Sequence, residues 1–162
     1  MNDAHVHLVV NHLPIVGLFI GILVLLVGWI SKKSQVKTTA LGIFVFCAIT
    51  VLIAHKTGEN AEEMVEQISG INHELIHEHE EATEPFFALM IALGFVSIVT
   101  LYLNYKKSKY SQFGFLITLI VALVGGYTSI EAGTTGGEIR HTEIRNDSNS
   151  TILKDVDHDD ED

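Results

Sequence analysis

The stretch LPIVGLFIGILVLLVGWI, residues 13–30, runs for 18 positions without an ionisable side chain. Roughly 20 mostly apolar helical residues cover the hydrocarbon core of a bilayer, and about 17 is the lower limit. Three further runs repeat the pattern, at residues 38–55, 85–103 and 113–130. The second is the weakest: its apolar part covers 40–54, Thr38 and Thr39 extend it, and Val36 and His55 fall at its interfaces. A soluble helix hides one apolar stripe and keeps its other side polar, whereas these runs are apolar throughout. The sequence therefore predicts an all-α, integral membrane four-helix bundle. The segment before the first run, MNDAHVHLVVNH, has no Lys or Arg, and no A-x-A-like site follows the run. Signal peptides open on a basic region, so the first run is expected to be a retained helix.

The 162 residues carry 20 Asp plus Glu against 10 Lys plus Arg, a net charge of −10. That charge coexists with a positive mean hydropathy of +0.33, so the two properties must occupy different segments. The acidic balance argues against nucleic-acid binding, which needs a basic face to neutralise phosphates. The length suits one domain. A single cysteine, Cys47, excludes an internal disulfide and any Cys-based zinc or iron–sulfur centre. Residues 1–144 read as the membrane domain. The acidic tail, 145–162, is nearly free of aromatic residues and is expected to be disordered.

Six of the 10 basic residues lie in two short loops: Lys32, Lys33 and Lys37, then Lys106, Lys107 and Lys109. The positive-inside rule makes those loops cytoplasmic and places both termini and the 56–84 loop outside. All 20 acidic residues and all nine histidines fall on the predicted outer side. Within the outer loop, Ala61, Met64, Val65 and Ile68 recur at helical spacing. This predicts an amphipathic helix over 57–70, capped by Thr57 and ended by Gly70. A second amphipathic helix is expected over 71–84, meeting the third span at an elbow marked by Glu84-Pro85. On its wheel Ile71, Leu75, Ile76 and Ala82 form the apolar side, and His79 falls inside that arc. His73 and His77 face the other way.

Three patterns bear on chemistry. His73-Glu74-Leu75-Ile76-His77 is a formal H-E-x-x-H, the zinc-peptidase arrangement in which two His share a helix face and the Glu activates the metal-bound water. It sits on the polar side of its helix in a segment rich in His and Glu, so a solvated face accounts for it as well. Glu74–His77 and Glu138–His141 match the Glu-x-x-His of di-iron bundles, but Gly136-Gly137 makes helix at the second pair doubtful. The third pattern is dispersed: His5, His7, His12, His55, His79 and His141 would all be gathered at the outer mouth by antiparallel packing. Imidazole ligates transition metals and haem, and His12, just before Leu13-Pro14, lies at the membrane boundary, where an unpaired polar group is costly. In the fourth span, Gly125, Ser129 and Gly133 form a small-residue stripe suited to close helix packing.

The ordered motifs HLVVNHLPIVG (7–17), TGENAEEMVE (57–66), HEEA (79–82) and GGEIRHTEI (136–144) resemble a family of uncharacterised four-span bacterial membrane proteins with a domain of unknown function. The resemblance covers residues 5–144. Its pattern matches His7, Asn11, His12, Glu59, Glu62, His79, Glu80, His141 and Glu143, and leaves out His73 and His77. It implies a multi-pass protein of the bacterial cytoplasmic (inner) membrane and supplies no activity.

The expectation is an extracytoplasmic His/carboxylate cluster. His7, His12, His79 and His141 would bind a transition metal (iron, copper or zinc) or a b-type haem. Glu59, Glu62, Glu80 and Glu143 would serve as further ligands or orient the imidazoles, and Arg140 would pair with one of these carboxylates or a haem propionate. The implied role is redox or metal handling, with the lipid bilayer, a redox partner or another membrane subunit as neighbours and homo-oligomers allowed. The alternative is a non-catalytic scaffold or binding protein in which these groups form a structural polar network. The third reading is the zinc metallopeptidase; no catalytic residue is assigned otherwise.

Overall fold

The computed structural model describes residues 2–65, 73–139 and 141, with side chains described for all of these but 62–65. The described chain is helical: α1 (Asp3–Val10), α2 (His12–Ile30), α3 (Ser34–Val65), α4 (His73–Tyr105) and α5 (Ser111–Glu138). No strand occurs among the described residues. Asn2 caps α1 by accepting from the His5 N–H, and Asp3 complements the helix dipole in its first turn. Pro14 explains the break between α1 and α2. It has no N–H to give to the Val10 carbonyl, so the backbone ladder is interrupted one turn earlier, at Asn11. Taken with α1, α2 gives the first of four helical segments long and apolar enough to cross a membrane; α3, α4 and α5 give the others.

The four rods pack in an antiparallel ring. α2 lies along α3, α3 along α4 and α4 along α5, while a lighter α2–α5 contact closes the circle and α1 continues the line of α2 along the end of α3. Leu18, Leu25, Leu41, Phe44, Met90, Leu93, Phe115 and Ala122 are fully buried at the centre. The outward positions are equally apolar. Phe19, Leu23, Val27, Phe46, Phe95, Ile98, Phe113, Ile120 and Val124 stand exposed around the girth. A water-soluble bundle would place polar groups there, so the apolar exterior is the signature of a lipid-facing surface.

Glycine sets the α2–α3 seam. A Cβ at Gly21 would collide with the Phe44 ring, and one at Gly17 with the Cys47 sulfur. The two are four residues apart, so one small-residue face lets the backbones approach. The stripe expected on α5 is partly different. Gly125 and Ser129 are buried, but Gly133 faces open space and Ala132 takes the next inward place.

The 56–84 region differs from expectation. No new helix starts at Thr57, because α3 runs unbroken to Val65 and the Thr57 hydroxyl donates back to the Ile53 carbonyl at 2.8 Å instead of capping. Gly70 and Ile71 lie outside the described residues. Nor do two helices meet at Pro85: α4 is continuous through it. The outer helices predicted as separate pieces are extensions of the membrane rods. At the far end α5 continues through Gly136-Gly137 to Glu138, so the helix doubted there does form. Helical packing against a neighbour outweighs the roughly 1 kcal/mol that each glycine costs.

Candidate functional site

Each loop end of the bundle has its own chemistry. At one end the α2–α3 and α4–α5 turns carry lysines, with Lys32 and Lys107 in the left-handed region at φ 56° and 52°. At the other end lie α1, the end of α3, the start of α4 and the end of α5, and here the histidines collect.

His7 projects from α1 onto α3. Its Nδ1 is 2.8 Å from the Ala54 carbonyl oxygen, which can only accept, so Nδ1 carries the proton. Close approach is possible because Gly58, one turn further along α3, has no side chain. A Cβ there would sit 3.1 Å from His7 Cε1. His79 makes the corresponding contact between α4 and α5, with its Nδ1 2.9 Å from Thr135 Oγ1. The Thr135 hydroxyl proton is engaged with the Glu131 carbonyl at 3.0 Å, so the oxygen accepts and His79 Nδ1 donates. Gly136 is the backing residue here, and a Cβ on it would come 2.9 Å from His79 Cε1. Both imidazoles are therefore held as the Nδ1–H tautomer, which leaves Nε2 of each as a lone-pair donor.

His79 lies six residues before Pro85, in the polar opening turns of α4 outside the apolar 85–103 run. Burial, and secondarily the charge that His7 can carry, hold it below the ordinary histidine value of 6.5. His7 and His79 reside on different helices, α1 and α4. One turn beyond His7 on the same face, the buried Asn11 Oδ1 has no hydrogen-bond partner among the described residues. Asp3 Oδ2 accepts from Asn60 Nδ2 at 3.1 Å, a second tie between α1 and α3.

Of the remaining candidate ligands, His12, His141 and Glu80 are exposed. Glu59 faces the His55 imidazole at 3.5 Å, and the His55 ring stacks on Phe87 at 4.3 Å between centroids. Arg140, Glu143 and the Glu62 side chain lie outside the described residues. Among the described residues, no three His, Cys, Asp or Glu side chains gather in a metal-binding group. His73, Glu74 and His77 lie on the exposed face of α4, and His77 Nε2 sits 3.4 Å from Glu81 on its own helix. The helical spacing of the peptidase motif is present, but it opens on solvent.

Nothing local in the sequence signals the glycine backing or the Thr135 contact. Their signals, a glycine four residues after Ala54 and a Thr-Gly pair late in the fourth rod, acquire meaning only across 47 and 56 residues of separation. Asn11 was marked only by the family resemblance. No protein-family model, no curated protein and no solved structure matches this chain.

Proposed function

We propose that the histidine end of this membrane bundle is a two-imidazole centre that binds a b-type haem or a transition-metal ion and serves redox or metal handling. On this reading the protein sits in the bacterial cytoplasmic membrane, with the histidine end and both termini on the outer side. The observation that supports it best is the shared state of His7 and His79. Each donates Nδ1–H to a fixed oxygen, each rests on a glycine, and each keeps Nε2 for a ligand. An outer hydrogen bond of this kind fixes the tautomer and strengthens a histidine ligand. Neutral imidazole is the ligating form, and the depressed proton affinity of His79 favours it.

Two imidazoles suit haem, whose macrocycle supplies four nitrogens, or a linear copper(I) ion. A tetrahedral zinc or a non-haem iron would need more protein ligands, for which Glu59, Glu62, Glu80 and Glu143 are the candidates. Arg140 keeps its proposed role toward a carboxylate or propionate. The orphaned Asn11 oxygen would accept from a water or ligand donor at the same level.

The second reading is a scaffold. It is favoured by the same bonds, because His7 ties α1 to α3 and His79 ties α4 to α5 whether or not anything is bound. Purification in mild detergent, after expression with haem precursor, iron and copper supplied, separates the two. A Soret band or a stoichiometric metal should be present in the wild type, be lost in His7→Ala and His79→Ala, and survive in His12→Ala and His77→Ala. No cofactor in the wild type, or one that persists in both of the first variants, would refute the centre and leave the scaffold.

A further inference from the structure

The lysine end of the bundle carries a groove on its outer surface. Thr38 of α3 and Leu101, Tyr102, Asn104 and Tyr105 of α4 line an open hollow of about 450 Å³. Hydrogen bonds between the two helices hold it in shape. Asn104 Nδ2 donates to Thr38 Oγ1 at 3.1 Å, and Ser34 Oγ donates to Asn104 Oδ1 at 3.4 Å. The walls are thus ordered before anything enters, which lowers the entropic cost of binding.

The groove continues an apolar stripe on α4. Phe95, Ile98, Tyr102 and Tyr105 recur at helical spacing on one side of the rod, and all four are exposed. From Phe95 to Tyr105 is about 15 Å of helix, half of the roughly 30 Å of hydrocarbon in a bilayer. The stripe therefore has the length of one lipid leaflet, and its two tyrosines stand at the interfacial end, where such rings are favoured. Lys106, the first residue past α4, crowns the stripe. Its Nζ stands 5.8 Å from the Tyr102 ring centroid and 5.9 Å from that of Tyr105. Attraction to the ring faces holds the ammonium above the groove without using its N–H groups, so these can serve an anion. Of the six lysines at this end, Lys37 is buried in the first turn of α3 and the other five are exposed.

We infer that the α3–α4 groove is a docking site for one anionic phospholipid, with an acyl chain lying along Phe95, Ile98, Tyr102 and Tyr105 and the phosphate meeting Lys106. An apolar track one leaflet long beneath an exposed ammonium is complementary to that molecule in both shape and charge. A second copy of the chain fits less well, because a symmetric pair within one membrane would bring two sets of lysines side by side. The site lies at the opposite end from His7 and His79, so this inference and the histidine centre can fail separately.

Native mass spectrometry of the full chain in detergent, with equal amounts of phosphatidylglycerol and phosphatidylcholine of the same acyl chains, tests this directly. The wild type should retain one phosphatidylglycerol in preference to phosphatidylcholine. Lys106→Gln should reduce that preference about fivefold, the share of one lysine at a lipid surface. Lys33→Gln, which removes the same charge from the other turn, should leave it unchanged. The double variant Tyr102→Ala/Tyr105→Ala should retain neither lipid. Should the double variant not fold, Lys106→Glu decides, because it reverses the charge at an exposed position and should turn the preference toward phosphatidylcholine. A wild type without preference, equal falls in Lys106→Gln and Lys33→Gln, or undiminished retention in the folded double variant or in Lys106→Glu would overturn the inference. So would a wild-type dimer that the tyrosine substitutions separate, which would assign the groove to a second copy.

Discussion

Thr135→Val removes one oxygen from the histidine end and leaves the shape of the side chain nearly unchanged. Thr135 is 8% exposed, and its Oγ1 accepts the Nδ1–H of His79 at 2.9 Å. The His79 ring cannot swing away freely, because Gly136 stands directly behind it. Loss of the acceptor therefore strands a donor. A fully buried orphan donor costs about 1–3 kcal/mol, and the partial exposure of His79 moves the expected loss to about 1 kcal/mol. Little else changes, since the Glu131 carbonyl that receives the Thr135 hydroxyl keeps its place in the helix ladder. The measurement is reversible unfolding in mixed micelles for wild type, Thr135→Val, His79→Leu and the double variant. The cycle should return a coupling of about 1 kcal/mol between the two positions. Nitrogen chemical shifts of the His79 ring give a second readout and should report the neutral Nδ1–H tautomer in the wild type. Additive losses within about 0.3 kcal/mol, or an Nε2–H tautomer, would remove the basis on which Nε2 is offered as a ligand atom.

Further expectations concern other parts of the molecule. In metal-free protein, His79 binds protons less readily folded than unfolded, so its contribution to stability should be complete above the unfolded value of 6.5 and decline as pH falls below it. Comparing the acid limb of unfolding for wild type and His79→Leu checks the sign; an identical limb contradicts it. Gly21→Ala should cost about 1–3 kcal/mol because its Cβ meets the Phe44 ring, whereas Gly42→Ala, with nothing within 4 Å, should be neutral or stabilising; unfolding midpoints in one detergent suffice. Ser97 is fully buried and its hydroxyl has no partner among the described residues, so Ser97→Ala should leave stability equal or higher by about 1 kcal/mol. Lys107 adopts φ 52° just past the end of α4, a position that favours glycine, so Lys107→Gly should stabilise by about 1 kcal/mol in a neutral detergent.

How far the sequence could be read follows from the range of the forces involved. Residues 13–30 and the three runs like it declare their length and apolarity locally, and that is sufficient for membrane-crossing helices. The division of lysines from histidines also survives in three dimensions, because an antiparallel ring sends alternate loops to opposite ends. Local signals misled where a terminator was read as final. Thr57 looked like a cap and Pro85 like an elbow, yet α3 and α4 run through both. Neighbouring rods supply enough contact to outweigh one lost backbone bond or one backward-facing hydroxyl.

The candidate site divides in the same way. The wheel at residues 71–84 put His79 on the inward side before any contact was known, and the structure places it against Thr135 and Gly136. His12, the histidine most favoured by its place at the membrane boundary, is exposed, whereas His7, one turn and a half earlier, meets Ala54. A sequence can state that an imidazole lies near a membrane surface. It cannot state which ring finds a glycine-lined gap on a helix 47 residues away. Lys37 teaches the same lesson at the other end: its charge was legible at once, but its enclosure by Gly28, Trp29, Phe115 and Gln112 was not. Hydropathy and charge act residue by residue, and they determined the rods and their polarity. Tautomer, enclosure and pairing depend on which side chains from different rods share a few ångströms, and only the tertiary packing decides that.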